Sequence, residues 1–272
     1  MVIARKFNQF LMFAFLIVTI ASYGQRIAIM GAMEQEIQML TEDLAHKRII
    51  EKGGITFYKG KLEGQKVVIL KAGVGKVNSA YSSAILFENF NVEALIFTGV
   101  AGGIAPEIQP GDVVLAEQLV QYDFGKLESD QFAVWPFYPI SDLQEKQSLY
   151  IKTDTNLLTL AKKALKGITL ENISNGPPQF FTGTIATADT FVNSATKAAE
   201  LYADYDALAT EMEGAAVAQI CSFRKIPFLV IRSCSDNANT NAHVDYQKFV
   251  IPAANNSAKI VRALLNQIRV PL

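Results

Sequence analysis

The chain has 272 residues, of which 50% are hydrophobic, 19% charged and 10% aromatic. This is the composition of an ordinary globular protein with a large core, so intrinsic disorder, collagen-like repeats and coiled coils are excluded. The 25 basic and 26 acidic residues give a formal net charge of -1, which supplies no overall positive field for nucleic acid. Two histidines and two cysteines are too few for most metal clusters, so metal catalysis is not expected.

The N-terminus differs in composition from the rest of the chain. Arg5 and Lys6 precede an uninterrupted apolar run at 10–21, and small residues follow at Ser22 and Gly24. A basic start, a short apolar run and small residues before the cut are typical of a secretory signal peptide. The run is also well short of the roughly 20 residues that span a bilayer. We therefore expect residues 1–24 to be cleaved, leaving an exported protein, periplasmic or secreted, with no stable membrane insertion.

The remaining residues, 25–272, alternate short β-branched runs with amphipathic stretches and contain no linker, charge block or repeat. This alternation predicts a single α/β domain with a central, twisted, mixed β-sheet flanked by helices on both faces. In chain order the predicted elements are strand 26–30, helix 34–44, strands 55–60 and 66–71, helix 77–88, strands 94–98 and 112–120, helix 156–165, strand 183–188, helix 214–223, strand 228–232 and helix 246–268.

Small residues and carboxylates follow several of these strands, where α/β sheets bind their ligands. Glu36 lies three residues after Met33 and four before Leu40, so it borders the apolar face of its helix. A partly desolvated carboxylate has a raised pKa and suits general-base chemistry. Glu36 by itself is better explained by the preference of acidic residues for a helix N-terminus.

Three further carboxylates lie near predicted strand ends. Glu211 and Glu213 precede the small-residue helix at 214–223, and each can accept two hydrogen bonds, as the vicinal hydroxyls of a ribose would offer. Asp236, with Ser235 before it, follows the strand at 228–232. The alternative for the glutamates is an acidic helix N-terminus, and for Asp236 it is the N-cap of the next turn.

Seven segments in order carry a family resemblance that no single one of them would establish. They are GAMEQE at 31–36, KAGVGKV at 71–77, TGVAGG at 98–103, PGDVV at 110–114, DTFVN at 189–193, EMEGA at 211–215 and RSCSD at 232–236. Together they resemble the motifs of the 5'-methylthioadenosine/S-adenosylhomocysteine nucleosidases, which belong to the purine nucleoside phosphorylase superfamily. The resemblance covers nearly all of the chain from Arg26 onward and implies a nucleoside phosphorylase-like fold.

The resemblance also implies roles for the carboxylates. Glu36 would activate the attacking water, and Asp236 would protonate the purine at N7 so that adenine leaves as a neutral base. Glu213 and Met212 would hold the ribose hydroxyls, with Glu211 supporting the water and ribose site. No metal or organic cofactor is required for this chemistry.

The remaining residues that the resemblance assigns surround the substrate. Phe191 would stack on adenine, although most aromatic side chains are simply part of a core. The backbone of Val192 would read the edge of the base, and Gly102 would pass close to the nucleoside. Tyr246 and Phe249 would surround the 5'-alkylthio group. Ser235 is included among the substrate-binding candidates.

We expect a hydrolase rather than a phosphorylase, because Glu34 and Glu36 would repel phosphate where the phosphorylases carry basic residues. The expected reaction is hydrolysis of the N-glycosidic bond of 5'-methylthioadenosine or S-adenosylhomocysteine by a protein that forms a homodimer. Two alternatives stay open. One is a nucleosidase or phosphorylase acting on another purine nucleoside, and the other is an exported purine-binding or storage protein without turnover.

Overall fold

The structure is a computed structural model that describes residues 26–137, 148–174, 176–239 and 241–268. The predicted signal peptide at 1–24 lies outside the described residues. Among the helices of these ranges, none is both long enough and apolar enough to cross a membrane.

Within the described residues the chain forms twelve strands and six helices. The strands are β1 (Arg26–Gly31), β2 (Ala45–Lys52), β3 (Ile55–Leu62), β4 (Gln65–Lys71), β5 (Val92–Gly103), β6 (Val113–Gln121), β7 (Gly125–Glu128), β8 (Gln131–Val134), β9 (Tyr150–Lys152), β10 (Phe180–Thr187), β11 (Ala207–Glu211) and β12 (Phe228–Asp236). The helices are α1 (Glu34–Glu42), α2 (Lys76–Asn89), α3 (Thr155–Ala164), α4 (Ala195–Tyr205), α5 (Gly214–Arg224) and α6 (Ala242–Leu265).

Ten of the strands form one mixed sheet in the order β11-β10-β6-β12-β5-β1-β4-β3-β2, with β9 paired to β6. Strands β4, β1, β5 and β12 run parallel, whereas β3 and β2 continue as an antiparallel edge. The long strand β5 also pairs antiparallel with β11 at Gly102 and Gly103. This last pairing closes β5, β12, β6, β10 and β11 into a ring.

The sheet is covered on both faces, as the sequence predicts. Alternation along β1 directs Ala28 and Met30 into a core shared with α2 and α5. Ile27 and Ile29 point to the opposite face and pack with α1, α3 and α6. The single α/β domain with a mixed sheet is therefore confirmed.

Most predicted elements are present with small shifts at their ends. Strand β12 continues four residues past the predicted end, so Asp236 is its last residue rather than part of the following loop. Helix α6 starts at Ala242, four residues before the predicted start, and contains Pro252. The prediction missed β2, β7, β8, β9, α4 and β11. Strand β2 is polar and almost wholly exposed, and β7, β8, β9 and β11 have five residues or fewer, so none presents a clear apolar period.

Ring closure brings separate parts of the sequence to one rim. Ala209 and Thr210 of β11 pair with the end of β5, and Asp236 of β12 pairs with Gly102 of β5. The carboxyl ends of β5, β11 and β12 therefore meet beside the N-termini of α1 and α5. Ligands in α/β sheets bind at such an edge.

Candidate active site

A cavity of about 240 Å³ opens at this rim. Every predicted site residue except Phe249 lines it. The lining consists of Ala32, Met33, Glu36, Val74, Val100, Ala101, Gly102, Thr190, Phe191, Val192, Thr210, Glu211, Met212, Glu213, Ser235, Asp236, His243 and Tyr246. Phe249 lies one turn after Tyr246 on α6, and its ring faces the Lys248 ammonium at 4.7 Å. Phe249 is therefore not among the described residues that line the cavity, where it was expected beside the substrate.

Glu36 stands in the first turn of α1 with its side chain buried in the cavity wall. Its Oε2 accepts the Met33 N–H at 2.9 Å, and its Oε1 accepts the Val100 N–H at 2.9 Å. Burial raises the pKa of Glu36, while the nearby Arg232 charge and the backbone N–H groups act in the opposite direction. Glu36 therefore caps its helix and presents a basic carboxylate to the cavity, so both interpretations from the sequence apply to it.

Asp236 ends β12 and is also buried. Its Oδ1 accepts the Ala238 N–H at 2.8 Å, and its Oδ2 accepts the Ser235 hydroxyl at 2.9 Å. Burial raises the pKa of Asp236 to about 6, despite these two hydrogen bonds. An acid with this pKa retains its proton over much more of the pH range than an ordinary aspartic acid.

Both carboxyl groups lie against glycines of strand β5. A Cβ at Gly99 would lie 2.4 Å from Glu36 Oε1, and a Cβ at Gly102 would lie 2.8 Å from Asp236 Oδ1. Three residues of extended strand separate the two glycines, which corresponds to about 10 Å. The missing side chains let both carboxyl groups rest against the strand and leave space between them for a substrate.

Glu211 ends β11 and has a full set of partners. Its Oε1 accepts the Thr187 hydroxyl, and its Oε2 accepts the Glu213 N–H at 3.0 Å and the Gly214 N–H at 2.7 Å. Arg232 Nη2 donates to the same Oε2 at 2.6 Å. Glu211 thus accepts N–H groups at the start of α5. This is the helix N-terminal role that the sequence left as the alternative for Glu211 and Glu213. Its contribution to the site is to hold Arg232 and the start of α5.

Glu213 is the N-cap residue of α5, but its side chain makes no capping hydrogen bond. Its Oε1 instead accepts the Gly75 N–H at 2.9 Å across the cavity rim, and its Oε2 lies 3.7 Å from Arg232 Nη2. Burial raises the pKa of Glu213 to about 8, and the charge of Glu211 adds to this effect. Glu213 is the carboxylate of the pair that stays available to a ligand.

Arg232 is the cation around which these glutamates are arranged. It is only 1% exposed, and its guanidinium carbon lies 4.2 Å from the centroid of the Phe97 ring. Burial disfavours the charge of Arg232, but Glu211, Glu36 and Glu213 outweigh burial and raise its pKa. The arginine therefore keeps its charge and offsets part of the negative charge of the cluster.

Aromatic side chains form the outer part of the cavity. Phe191 is 44% exposed, so it is not a core residue, and its ring meets that of Tyr246 edge-on at 5.7 Å. The Tyr246 hydroxyl donates to Met33 Sδ at 3.1 Å, which joins α6 to the start of α1. Val192, one residue further, is buried in the wall. This arrangement offers a ring face and a backbone edge to a planar ligand.

The sequence prediction missed several lining residues. Val100 contributes its backbone N–H to Glu36, Thr210 precedes Glu211 on β11, and the exposed His243 lies in the first turn of α6. The pairing of β11 with β5 is a long-range contact that no local pattern reports. The start of α6 was predicted four residues too late, which left His243 outside the helix.

Comparison with known proteins places this geometry in a family. Residues 26–266 match the family model described as the phosphorylase superfamily. A 5'-methylthioadenosine/S-adenosylhomocysteine nucleosidase of Mycobacterium bovis is 34% identical, over 88% of this chain and 96% of its own. The chain belongs to this nucleosidase family of the phosphorylase superfamily.

Two further relatives of the nucleosidase family are informative. The aminodeoxyfutalosine nucleosidase of Campylobacter jejuni is 35% identical, over 89% of this chain and 99% of its own. The crystal structure of a 5'-methylthioadenosine/S-adenosylhomocysteine nucleosidase from Colwellia psychrerythraea 34H in complex with adenine superposes with a TM-score of 0.78. It is 33% identical and covers 91% of this chain and 97% of that one.

No metal site is evident in this nucleosidase as far as it is described. Among residues 26–137, 148–174, 176–239 and 241–268, no group of three or more His, Cys, Asp or Glu side chains has a geometry that could hold a metal ion. The four cavity carboxylates are instead held by N–H groups, hydroxyls and Arg232.

The raised pKa of Glu213 predicts a pH-dependent stability. Because the native state binds this proton more tightly than the unfolded chain, the free energy of unfolding falls as pH rises from about 4.5 to about 8. One such group contributes a slope of up to about 1.4 kcal/mol per pH unit. We expect Glu213→Gln to make the slope shallower in urea unfolding at pH 5, 6, 7 and 8. The exposed Glu88→Gln serves as control, and an unchanged slope in Glu213→Gln would contradict the assignment.

Proposed function

We propose that this protein hydrolyses the N-glycosidic bond of 5'-methylthioadenosine, S-adenosylhomocysteine or both, and releases adenine and the 5'-thioribose. The observation that carries the proposal is the pair of buried carboxyl groups Glu36 and Asp236, which line one cavity and rest against β5 at Gly99 and Gly102. A nucleoside placed between them would meet an acid on the side of the base and a proton acceptor on the side of the sugar.

The reaction requires two proton transfers. Protonated Asp236 donates its proton to N7 of the purine, so the bond between C1' and N9 breaks and adenine leaves as a neutral base. A water molecule attacks C1' and passes a proton to the Glu36 carboxylate. Both groups have raised pKa values, which suits one to carry a proton and the other to accept one.

Negative charge near the sugar stabilises the transition state. Breaking the glycosidic bond develops positive charge on the ribosyl ring, which favours the ionised form of Glu213 in the cavity wall. The second oxygen of Glu213 is free to accept ribose hydroxyls while the first holds the Gly75 N–H. Glu213 and the adjacent Met212 would bind the ribose hydroxyls, and Phe191 would lie along the base.

Water suits this site better than phosphate as the nucleophile. Four of the lining residues are acidic, and no lysine or arginine belongs to the lining that the structure describes. Arg232 lies behind the lining and is engaged by Glu211 at 2.6 Å. Among the described lining residues, a phosphate ion would therefore meet four carboxyl groups and no lysine or arginine side chain. The relatives support the same chemistry, since they are named as nucleosidases.

The group at the 5' position of the substrate nucleoside distinguishes the candidate functions. The second candidate is a nucleosidase for another 5'-substituted purine nucleoside, because the aminodeoxyfutalosine nucleosidase is as similar to this chain as the methylthioadenosine enzymes are. A binding or storage role without turnover is less well supported, since a binder has no need of an acid and a base on opposite sides of the ligand.

The deciding experiment is adenine release from 5'-methylthioadenosine by the purified chain that starts at Gln25. We expect release in phosphate-free buffer, with no stimulation by added phosphate, because water is the nucleophile. S-adenosylhomocysteine and aminodeoxyfutalosine are assayed in parallel to identify the preferred 5' group. Release that depends on phosphate would overturn the hydrolase, and binding without release from any of the three would favour the storage role.

Asp236→Asn tests the general acid. The amide cannot supply the proton, so kcat should fall by about 10²-fold or more while nucleoside binding stays measurable by calorimetry. For the wild-type enzyme, kcat/KM should fall as pH rises above about 6, where free Asp236 loses its proton. The variant should lack this pH dependence. Activity near that of the wild type would remove Asp236 from the mechanism.

We also propose that the protein is exported after cleavage at Gly24 and that two copies associate. The N-terminal sequence supports export, and exposed apolar side chains support association: Val77 and Tyr81 share one face of α2 and are 79% and 51% exposed. N-terminal sequencing of the exported protein should begin at Gln25, and light scattering should give twice the chain mass. An intact Met1 would contradict the first proposal, and the mass of a single chain would contradict the second.

A further inference from the structure

Asp123, in the loop after β6, does not line the cavity, but it contacts Lys76 and Asp189, which lie close in sequence to the lining residues Val74 and Thr190. Asp123 Oδ1 lies 2.5 Å from Lys76 Nζ, and Asp123 Oδ2 accepts the Asp189 N–H at 2.9 Å. The Asp123 and Lys76 side chains are 27% and 18% exposed, so this ion pair is more shielded than an ordinary surface pair. One carboxylate therefore holds the first residue of α2 and the loop after β10 at the same time.

Both contacts of Asp123 converge on the backbone turn at Gly75 and Lys76. Asp189, held through its N–H by Asp123, accepts the Lys76 N–H at 2.7 Å with its own Oδ1. Asp123 thus fixes Lys76 at its side chain directly and at its backbone through Asp189. The turn requires glycine at position 75, where φ is +94° and a Cβ would lie 3.1 Å from Asp189 Oδ1.

The turn contacts Glu213, the carboxylate proposed to bind the ribose hydroxyls. The Gly75 N–H points at Glu213 Oε1 at 2.9 Å, so the direction of this N–H fixes which Glu213 oxygen remains for a ligand. The same hydrogen bond favours the ionised form of Glu213 and lowers its pKa relative to burial alone. A shift of the turn would therefore change both the orientation and the charge of Glu213.

We propose that Asp123 is a positioning residue for nucleoside binding, which acts through Lys76, Asp189 and Gly75 to orient Glu213 toward the ribose hydroxyls. This inference rests on the proposed function of the cavity. It assigns a substrate-affinity role to a residue that lies outside the cavity lining and two residues before the β7 strand.

Asp123→Asn is the test variant. The amide has the shape of the carboxylate but no charge, and its NH2 group cannot accept from Lys76 or Asp189. Loss of hydrogen bonds to a charged group should raise the KM for 5'-methylthioadenosine about tenfold. We expect a smaller fall in kcat, because Glu213 also stabilises the transition state. Glu128→Gln is the matched control, because it removes the exposed Lys126–Glu128 ion pair from strand β7, just after Asp123, without reaching the site. The control should retain the wild-type KM.

A substrate without ribose hydroxyls separates positioning from general damage. Because Asp123 acts through Glu213, the KM penalty of Asp123→Asn should shrink to less than about threefold for the 2',3'-dideoxy analogue of 5'-methylthioadenosine. The melting temperature should stay within about 2 °C of the wild type, as expected for one partly exposed ion pair. An equal penalty on both substrates, an unchanged KM, or a loss confined to kcat would overturn the proposal.

Calorimetry distinguishes failure of this inference from failure of the proposed function. If the wild-type protein releases no adenine, the hydrolase proposal fails, but adenosine and 2',3'-dideoxyadenosine still report on the site. A tenfold weaker Kd of Asp123→Asn for adenosine alone would support the positioning role. Equal weakening for both nucleosides, or no binding of either to the wild type, would overturn it.

Discussion

The buried charge of Arg232 is the constraint on which the site depends. Three glutamates surround it, and each would be costly to bury without a counter-charge. One cation cannot neutralise three anions, and the pKa of Glu213 rises to about 8 while that of Glu36 is raised as well. Protonation of Glu213 therefore removes part of the negative charge of the empty site. A ribosyl cation supplies the missing opposite charge and favours ionisation of the same groups in the transition state.

The fold was predictable because the buried strands carry their signal locally. Strand β1 and the parallel strands beside it alternate apolar residues toward two cores, and α2 and α5 show small or apolar stripes. The edge strand β2 and the short β7, β8 and β9 carry no such signal, because exposed or very short strands owe their pairing to neighbours. Helix α4 did have a local signal, the Ser194 N-cap that accepts the Lys197 N–H, and it was overlooked.

Most residues of the candidate site were predictable from the sequence, but the different contacts of each carboxylate were not. Motifs after strands identified the carboxylates, yet only the contacts distinguish Glu211, saturated by Thr187, two N–H groups and Arg232, from Glu213, which reaches across to Gly75. These partners are distant in sequence. The same applies to Asp123 and Lys76, which are 47 residues apart and meet only after the sheet has closed.

Closure of the sheet by β5 and β11 divides the cavity into two kinds of wall. Asp236, the proposed acid, and Glu211, which holds Arg232, stand on strands that are paired on both sides. The aromatic mouth is built instead from the loop of Phe191 and the first turns of α6, which belong to no strand of the sheet. Substitutions at the mouth can therefore alter which nucleoside enters without disturbing bond cleavage. This separation of the two walls gives a physical reason why relatives that are named for different substrates can share one fold at similar sequence identity to this chain.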